Sequence, residues 1–221
     1  MQKLKILTQT ALPHFREHGL KINYKKGQLF VRPEDTAQGI YYLASGQALL
    51  FASKGDGVEQ IIGIWEEGAI FGKVGSVIPQ RHLTTYTQAL SDCLVYRLDC
   101  NQFQSLLQNE PAFASAYMQQ VSFNNIFILS QSLTLGERNI YSRIISQLLM
   151  LSDFYGSIKG NSCKLRVVLT QEQLAAMLCI TREYLSKTLK KIKLKKLIMV
   201  DKNGNITIPS LANLKKELEM A

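Results

Sequence analysis

Residues 170–196 read TQEQLAAMLCITREYLSKTLKKIKLKK. Thr170 with Gln173 three residues on has the form of a capping box, in which hydroxyl and amide satisfy the free backbone donors that open a helix. The predicted helix runs from Gln171 to Leu178 and carries Leu174, Met177 and Leu178 on one face. A short break at Cys179 and Ile180 follows, and Thr181 is placed to cap a second helix reaching about Lys193. On that helix Leu185, Leu189 and Ile192 form the expected buried stripe. Glu183, Lys187 and Lys190 project from the other side, with Arg182 and Ser186 at the border of the first turn. Two short helices joined by a tight turn, the second basic on its outer face, make the layout of a helix-turn-helix.

A helical hairpin with a merely solvated charged face is the bland alternative, and the distribution of charge weighs against it. From Glu137 to the end there are 15 Lys+Arg against 7 Asp+Glu, a net of +8, whereas the first 136 residues hold 11 against 10. Nearly all of the chain's net charge of +9 therefore lies in its last third. Such segregation is the footprint of a polyanionic partner, here double-stranded DNA.

The remaining composition narrows the class. At 221 residues and 46% hydrophobic content, the chain can bury one large or two modest cores. Cys93, Cys100, Cys163 and Cys179 form no Cys-x-x-Cys pair and no cluster with histidine, so no zinc or iron–sulfur site is expected. Few, scattered thiols and an N-terminus without the apolar core of a signal peptide point to the cytoplasm. Between Glu110 and Glu137 no residue is charged, but glutamines, asparagines and hydroxyls along the segment are costly in lipid, so no membrane partner is expected.

Taken in order, residues 1 to about 20 suggest a short leading helix. From Tyr24 to Leu98, short β-type runs (GQLFV, GIYYLASGQALLFA, EQIIGIW, CLVYRL) alternate with glycines at the spacing of a sandwich or barrel, with GDG at 55–57 as a hairpin turn. The glycine-dense GAIFGKVGS at 68–76 is either a tight corner or a ligand loop in which backbone donors and Lys73 face an anion. Asp99 caps a helix to Gln108, and Pro111 opens a helix of about 24 residues that Gly136 ends. That helix is apolar nearly all round and needs cover on two sides, which the β domain and the same helix of a second chain would give. Phe113, Tyr117, Phe127 and Leu135 are its candidate buried positions. Tyr141 to Phe154 is a further amphipathic helix carrying Ile144, Ile145, Leu148 and Leu149. Residues 155–164 read as a loop, LRVVL as a strand, and LIMV, DKNGN and ITI as the strand, turn and strand of a two-stranded wing.

The expected class is α+β. Residues 1–110 form an effector-binding β jelly-roll barrel, 111–136 a dimerisation helix, and 137–221 a winged helix-turn-helix. In this order, a glycine-punctuated barrel with IYYLASG and GAIFG, a long helix and a winged helix-turn-helix resemble the cyclic AMP receptor protein and FNR (CRP/FNR) family of bacterial regulators over essentially the full length. ITREYLSK is similar to the family's S/T-R-E-x-x-S/G-R/K recognition-helix pattern. The resemblance implies a homodimer on a palindromic operator, with RNA polymerase as a further partner. It implies DNA contacts from Thr181, Arg182, Glu183 and Lys187, and Ser186 and Lys190 on the same helix, with Thr170 and Gln171 before it, complete the expected DNA-contacting set. Where relatives often have glycine in the turn, this chain has Cys179.

At the effector site the sequence departs from the nucleotide-binding relatives. The residue after Phe71-Gly72 is Lys73 where they have Glu for the ribose hydroxyl. Leu83-Thr84 stand where they carry Arg-Ser or Arg-Ala for the cyclic phosphate, with Arg81 two residues early. Ile128 and Leu129 replace the polar residues that meet adenine. The N-terminal cysteine set of oxygen-sensing relatives is absent as well. The expected effector is therefore an unidentified small molecule other than cyclic AMP, anionic or phenol-like, with Tyr86 also at hand. Some relatives that sense halogenated phenols likewise look to have Gly-Lys here. Three other readings stay open: a haem sensor using His82, a redox switch through Cys163 or Cys179, and a constitutive DNA binder with a vestigial pocket. An enzyme is not expected, because His14, His18 and His82 form no strand-borne ligand pair and no nucleophile–base arrangement stands out.

Overall fold

The computed structural model describes residues 10–32, 39–54, 58–72 and 85–220. They divide into two compact units, with the boundary at Ile126/Phe127. The first unit opens with helix α1 (Leu12–His18) and strands β1 (Leu20–Tyr24), β2 (Leu29–Val31), β3 (Ile40–Ser45), β4 (Gln47–Lys54) and β5 (Val58–Glu66). It continues with β6 (Ile70–Gly72), β7 (Thr85–Ala89), β8 (Cys93–Leu98) and helix α2 (Cys100–Asn109). Two four-stranded sheets result, ordered β1-β8-β3-β6 and β2-β7-β4-β5, with antiparallel pairing throughout.

The unbroken apolar run Ile40–Leu43 explains how this unit is layered, because β3 is buried on both faces. Tyr41 and Leu43 point into the sandwich, among Phe30, Ala48, Phe71 and Val95. Ile40 and Tyr42 point the other way, to Phe15 of α1, Phe103 of α2 and Phe113. Period-2 alternation thus distributes one sequence run between two cores. At Gly72 the backbone has φ +138°, and a Cβ there would lie 2.6 Å from the Gly39 carbonyl oxygen. This residue of the GAIFG run makes a close backbone approach that only glycine fits. The GDG turn at 55–57 lies outside the described residues, though β4 and β5 on either side pair antiparallel. Of the leading helix, Leu12–His18 is described and residues 1–9 are not.

Helix α3 (Pro111–Leu135) crosses the unit boundary in sequence. Before it, Asp99 and Gln102 form the expected capping box on α2. The second unit continues with α4 (Ile140–Tyr155), β9 (Gly156–Lys159), β10 (Ser162–Leu165), α5 (Gln171–Leu178) and α6 (Arg182–Leu194). It ends with β11 (Met199–Val200), β12 (Ile206–Ile208) and α7 (Leu211–Glu219). Ile144, Ile145, Leu148 and Leu149 of α4 are buried, as their spacing predicts.

Two expectations are corrected here. Residues 155–164 are not a loop: β9 and β10 form a hairpin turning at Gly160, whose φ is +58°. The strand expected at LRVVL ends at Leu165, because the pairing of β10 with β9 and β12 falls on residues 162–165. Cys163 and Leu165 point inward from it while Lys164 points out. The expected two-stranded wing is present as β11 paired antiparallel with β12, and β12 pairs in turn with β10 in a sheet ordered β11-β12-β10-β9. Helix α7, which the sequence reading lacked, carries its own signal in Ser210, whose hydroxyl accepts from the Asn213 amide.

Candidate nucleic-acid interface

The helix-turn-helix follows from local chemistry. Thr170 Oγ1 accepts from the Gln173 amide at 3.1 Å, and Gln173 Oε1 accepts from the Thr170 amide at 2.9 Å. Both halves of the capping box are therefore made. Leu174, Ala175, Met177 and Leu178 bury the inner face of α5. Cys179 then adopts the left-handed conformation, φ 54° and ψ 43°, in the turn between the two helices. Its amide and that of Ile180 donate back to the Ala175 carbonyl. Thr181 caps α6 through Oγ1, which accepts from the Tyr184 amide at 3.3 Å.

On α6, Leu185, Thr188, Leu189 and Ile192 are buried. Arg182, Glu183, Ser186, Lys187 and Lys190 are exposed, and with Gln171 of α5 they line one open depression. Six of the eight sequence-designated DNA residues are thus brought together, and the other two, Thr170 and Thr181, are the helix caps beside them. Tyr184, which the sequence reading left out, is also exposed on α6, and its position one residue before buried Leu185 was the available signal. In the wing turn, Asp201 accepts from the Asn203 and Asn205 amides and from the Asn205 side chain, which holds its carboxyl below the usual carboxylate range.

The far end of α6 is fastened down. Lys195 Nζ donates to Glu217 Oε1 of α7 at 2.5 Å, the Tyr141 hydroxyl donates to the same oxygen at 2.6 Å, and the ammonium lies 5.4 Å from the Tyr141 ring centroid. The Lys195 hydrogen bond, then that of Tyr141, holds the Glu217 carboxyl below its ordinary value. Lys195 is raised by the same carboxylate.

The designated effector residues are less concentrated. Lys73, Leu83 and Thr84 lie outside the described residues, as do Arg81 and His82. Phe71 is buried in the sandwich core, stacked at 5.5 Å on Tyr41 and 6.0 Å on Trp65. Tyr86 is half-buried and stacks on Phe51 at 5.1 Å. Ile128 and Leu129 belong to the second unit and are exposed. Cys163 is buried, and burial pushes its thiol up, away from a reactive thiolate. Among the described residues no group of three or more His, Cys, Asp or Glu could hold a metal ion. No described helix is long and apolar enough to cross a membrane.

Comparison with known proteins matches residues 21–110 to the cyclic nucleotide-binding domain and residues 142–217 to the Crp-like helix-turn-helix domain. The chain is 25% identical over 200 residues to the global nitrogen regulator of Synechococcus elongatus, covering 87% of this chain and 90% of that protein. In shape it is similar to a CooA mutant from Carboxydothermus hydrogenoformans, with a TM-score of 0.79, 21% identity, and coverage of 92% and 89% of the two chains. It is also similar to CLP of Xanthomonas campestris, described as a c-di-GMP responsive global regulator, with a TM-score of 0.74, 22% identity, and coverage of 91% and 99%. At these identities the two structural likenesses concern the fold.

The turn geometry makes a stability prediction. A non-glycine residue in the left-handed region costs about 1–2 kcal/mol, and glycine loses about 0.5–1 kcal/mol more on folding than alanine does. Cys179→Gly should therefore gain about 0.5–1 kcal/mol, read as a higher urea midpoint with unchanged slope.

Proposed function

The chain belongs to the CRP/FNR family of transcriptional regulators, and we propose that it reads a palindromic operator as a homodimer through the exposed face of α6. It is a DNA-binding transcriptional regulator. One observation carries the reading: Gln171, Arg182, Glu183, Ser186, Lys187 and Lys190 share one open surface at the start of a helix anchored at both ends. A guanidinium suits the two major-groove acceptors of guanine, and a carboxylate can accept from the cytosine amino group. Arg182 and Glu183 take these roles, Lys187 combines base and phosphate contact, and Lys190 meets phosphate. Thr170 and Gln171 supply backbone contacts that fix register.

The dimer seam is the outward stripe of α3. Phe113 packs against Phe15 and Phe103, and Phe127 lies edge-on to Phe154 and Tyr155, so these rings are already covered within one chain. Met118, Ile126, Leu129 and Leu133 are instead 62, 57, 64 and 78% exposed at helical spacing. Apolar side chains so aligned on an uncharged helix favour association with an identical helix. In this reading residues 1–110 sense the effector, 111–136 join the subunits and 137–221 bind DNA. The protein works in the cytoplasm with RNA polymerase as partner and no catalytic step of its own.

The effector we propose is a small anionic or phenol-like molecule rather than cyclic AMP. Lys73 in place of a carboxylate would attract an anion, more strongly in a partly buried site than in water.

Arg182→Ala should cost about 1–3 kcal/mol on the cognate duplex and relax preference at one position per half-site. Lys190→Ala should weaken all duplexes alike and reduce the salt slope by about 1, measured by fluorescence anisotropy across a salt series. A chain carrying Leu129→Glu and Leu133→Glu together should sediment as monomer, and a persisting dimer would place the seam elsewhere. Calorimetry with cyclic AMP, cyclic GMP and a panel of phenols and aromatic acids tests the effector. Heat from an aromatic anion or phenol is the expected result, and micromolar cyclic AMP binding would reject it.

A further inference from the structure

Where α5 ends, its last carbonyls need donors that the helix itself cannot provide. Ala175 O is served by the Cys179 and Ile180 amides. Met177 O is served from another helix: Gln131 Nε2 of α3 donates to it at 2.7 Å, from a side chain only 6% exposed. Arg143 of α4 approaches the next carbonyl, Leu178 O, at 3.5 Å with one guanidinium nitrogen, and donates to Glu137 O at 2.9 Å with the other. A cation beside helix-terminal carbonyls is also favoured by the helix dipole. The first helix of the helix-turn-helix is therefore capped in trans, at the two carbonyls directly before the left-handed turn.

Stability alone gives little reason for this polar seam. Gln131 Oε1, Arg143 Nε and both amide atoms of Gln147, which is fully buried one turn beyond Arg143, are buried without a partner among the described residues. Each such orphan costs about 1–3 kcal/mol, and apolar residues would avoid it. What the polar groups provide is a fixed register, because an amide donor on a carbonyl tolerates little sliding where aliphatic packing tolerates more.

We propose that Gln131 and Arg143 are positioning residues for DNA reading. They tie the last turns of α3 to the α5–α6 turn and so set where the reading face of α6 stands. Gln131 is buried and cannot touch DNA, so any effect it has on binding acts through position. The proposal rests on the DNA-binding reading of α6.

Gln131→Met keeps the volume and removes the donor. The probes are a duplex that the wild-type protein selects from a randomised library and a scrambled duplex of equal length. Gln131→Met should lose about tenfold in affinity for the selected duplex while binding the scrambled one as wild type does, with the protein folded at the assay temperature. Gln131→Glu supplies the conservative rescue. Its neutral carboxylic acid can donate to Met177 O and its carboxylate cannot, with Arg143 and Glu137 the charged groups at this end of the seam. Its affinity relative to wild type should recover as pH falls, while the Gln131→Met ratio stays flat. Unchanged selected-site affinity, equal loss on both duplexes, or a Gln131→Glu ratio indifferent to pH would each overturn the positioning role. Failure of the wild type to select any sequence would count instead against DNA reading itself.

Discussion

The two non-glycine residues with left-handed backbone among the described residues, Cys179 and Lys196, bracket α6. Each marks a place where the chain must reverse its helical sense within one residue, and each does so at a cost of about 1–2 kcal/mol. At the first, Cys179 closes α5 on the Ala175 carbonyl and brings Thr181 into position to cap the next helix. At the second, the Leu197 amide returns to the Ile192 carbonyl while Ile198 enters the core. With both ends of α6 fixed by backbone geometry, its rotation about its own axis is fixed as well. That rotation decides which side chains are presented outward.

Side-chain chemistry then reinforces what the backbone sets. Lys195, the last lysine before the turn out of α6, is held by Glu217 under the Tyr141 ring. Lys187 and Lys190 instead line the open surface with Arg182 and Ser186. One basic helix thus separates two uses of lysine: an anchor paired to a carboxylate, and a reading face whose cations point outward. A cation on an open, solvated surface costs little in water and gains on meeting a phosphate, by releasing that polymer's counterions.

Helix α3 has a comparable division, made without charge. Phe113 and Ala116 are buried early in it, Phe127, Gln131 and Thr134 late in it, and Met118, Leu129 and Leu133 stay exposed. The aromatic rings go inward because they carry the largest apolar area and find other rings to pack against. The smaller aliphatic side chains are left outside. An aliphatic stripe left exposed along an uncharged helix is the reverse of what an ordinary surface helix presents to water, and it is what the dimer proposal explains.

Much of the architecture was legible in the sequence because its causes are local. The Thr170–Gln173 box, the Thr181 cap, the Asp99 cap and Pro111 act within one turn of themselves. The charge imbalance of the last third needs only counting. The hairpin at 156–165 was not legible, since Lys- and Ser-containing strands show no periodicity until β12 arrives from about forty residues away to pair with β10. Nor could the sequence tell which side of α3 faces inward, because a helix apolar all round has no amphipathic signal to read. The bond from Gln131 to Met177 lay furthest from view. A glutamine in an uncharged helix and a carbonyl at the end of another carry no mark of each other, and only the packing of α3 against the helix-turn-helix brings donor and acceptor within 2.7 Å.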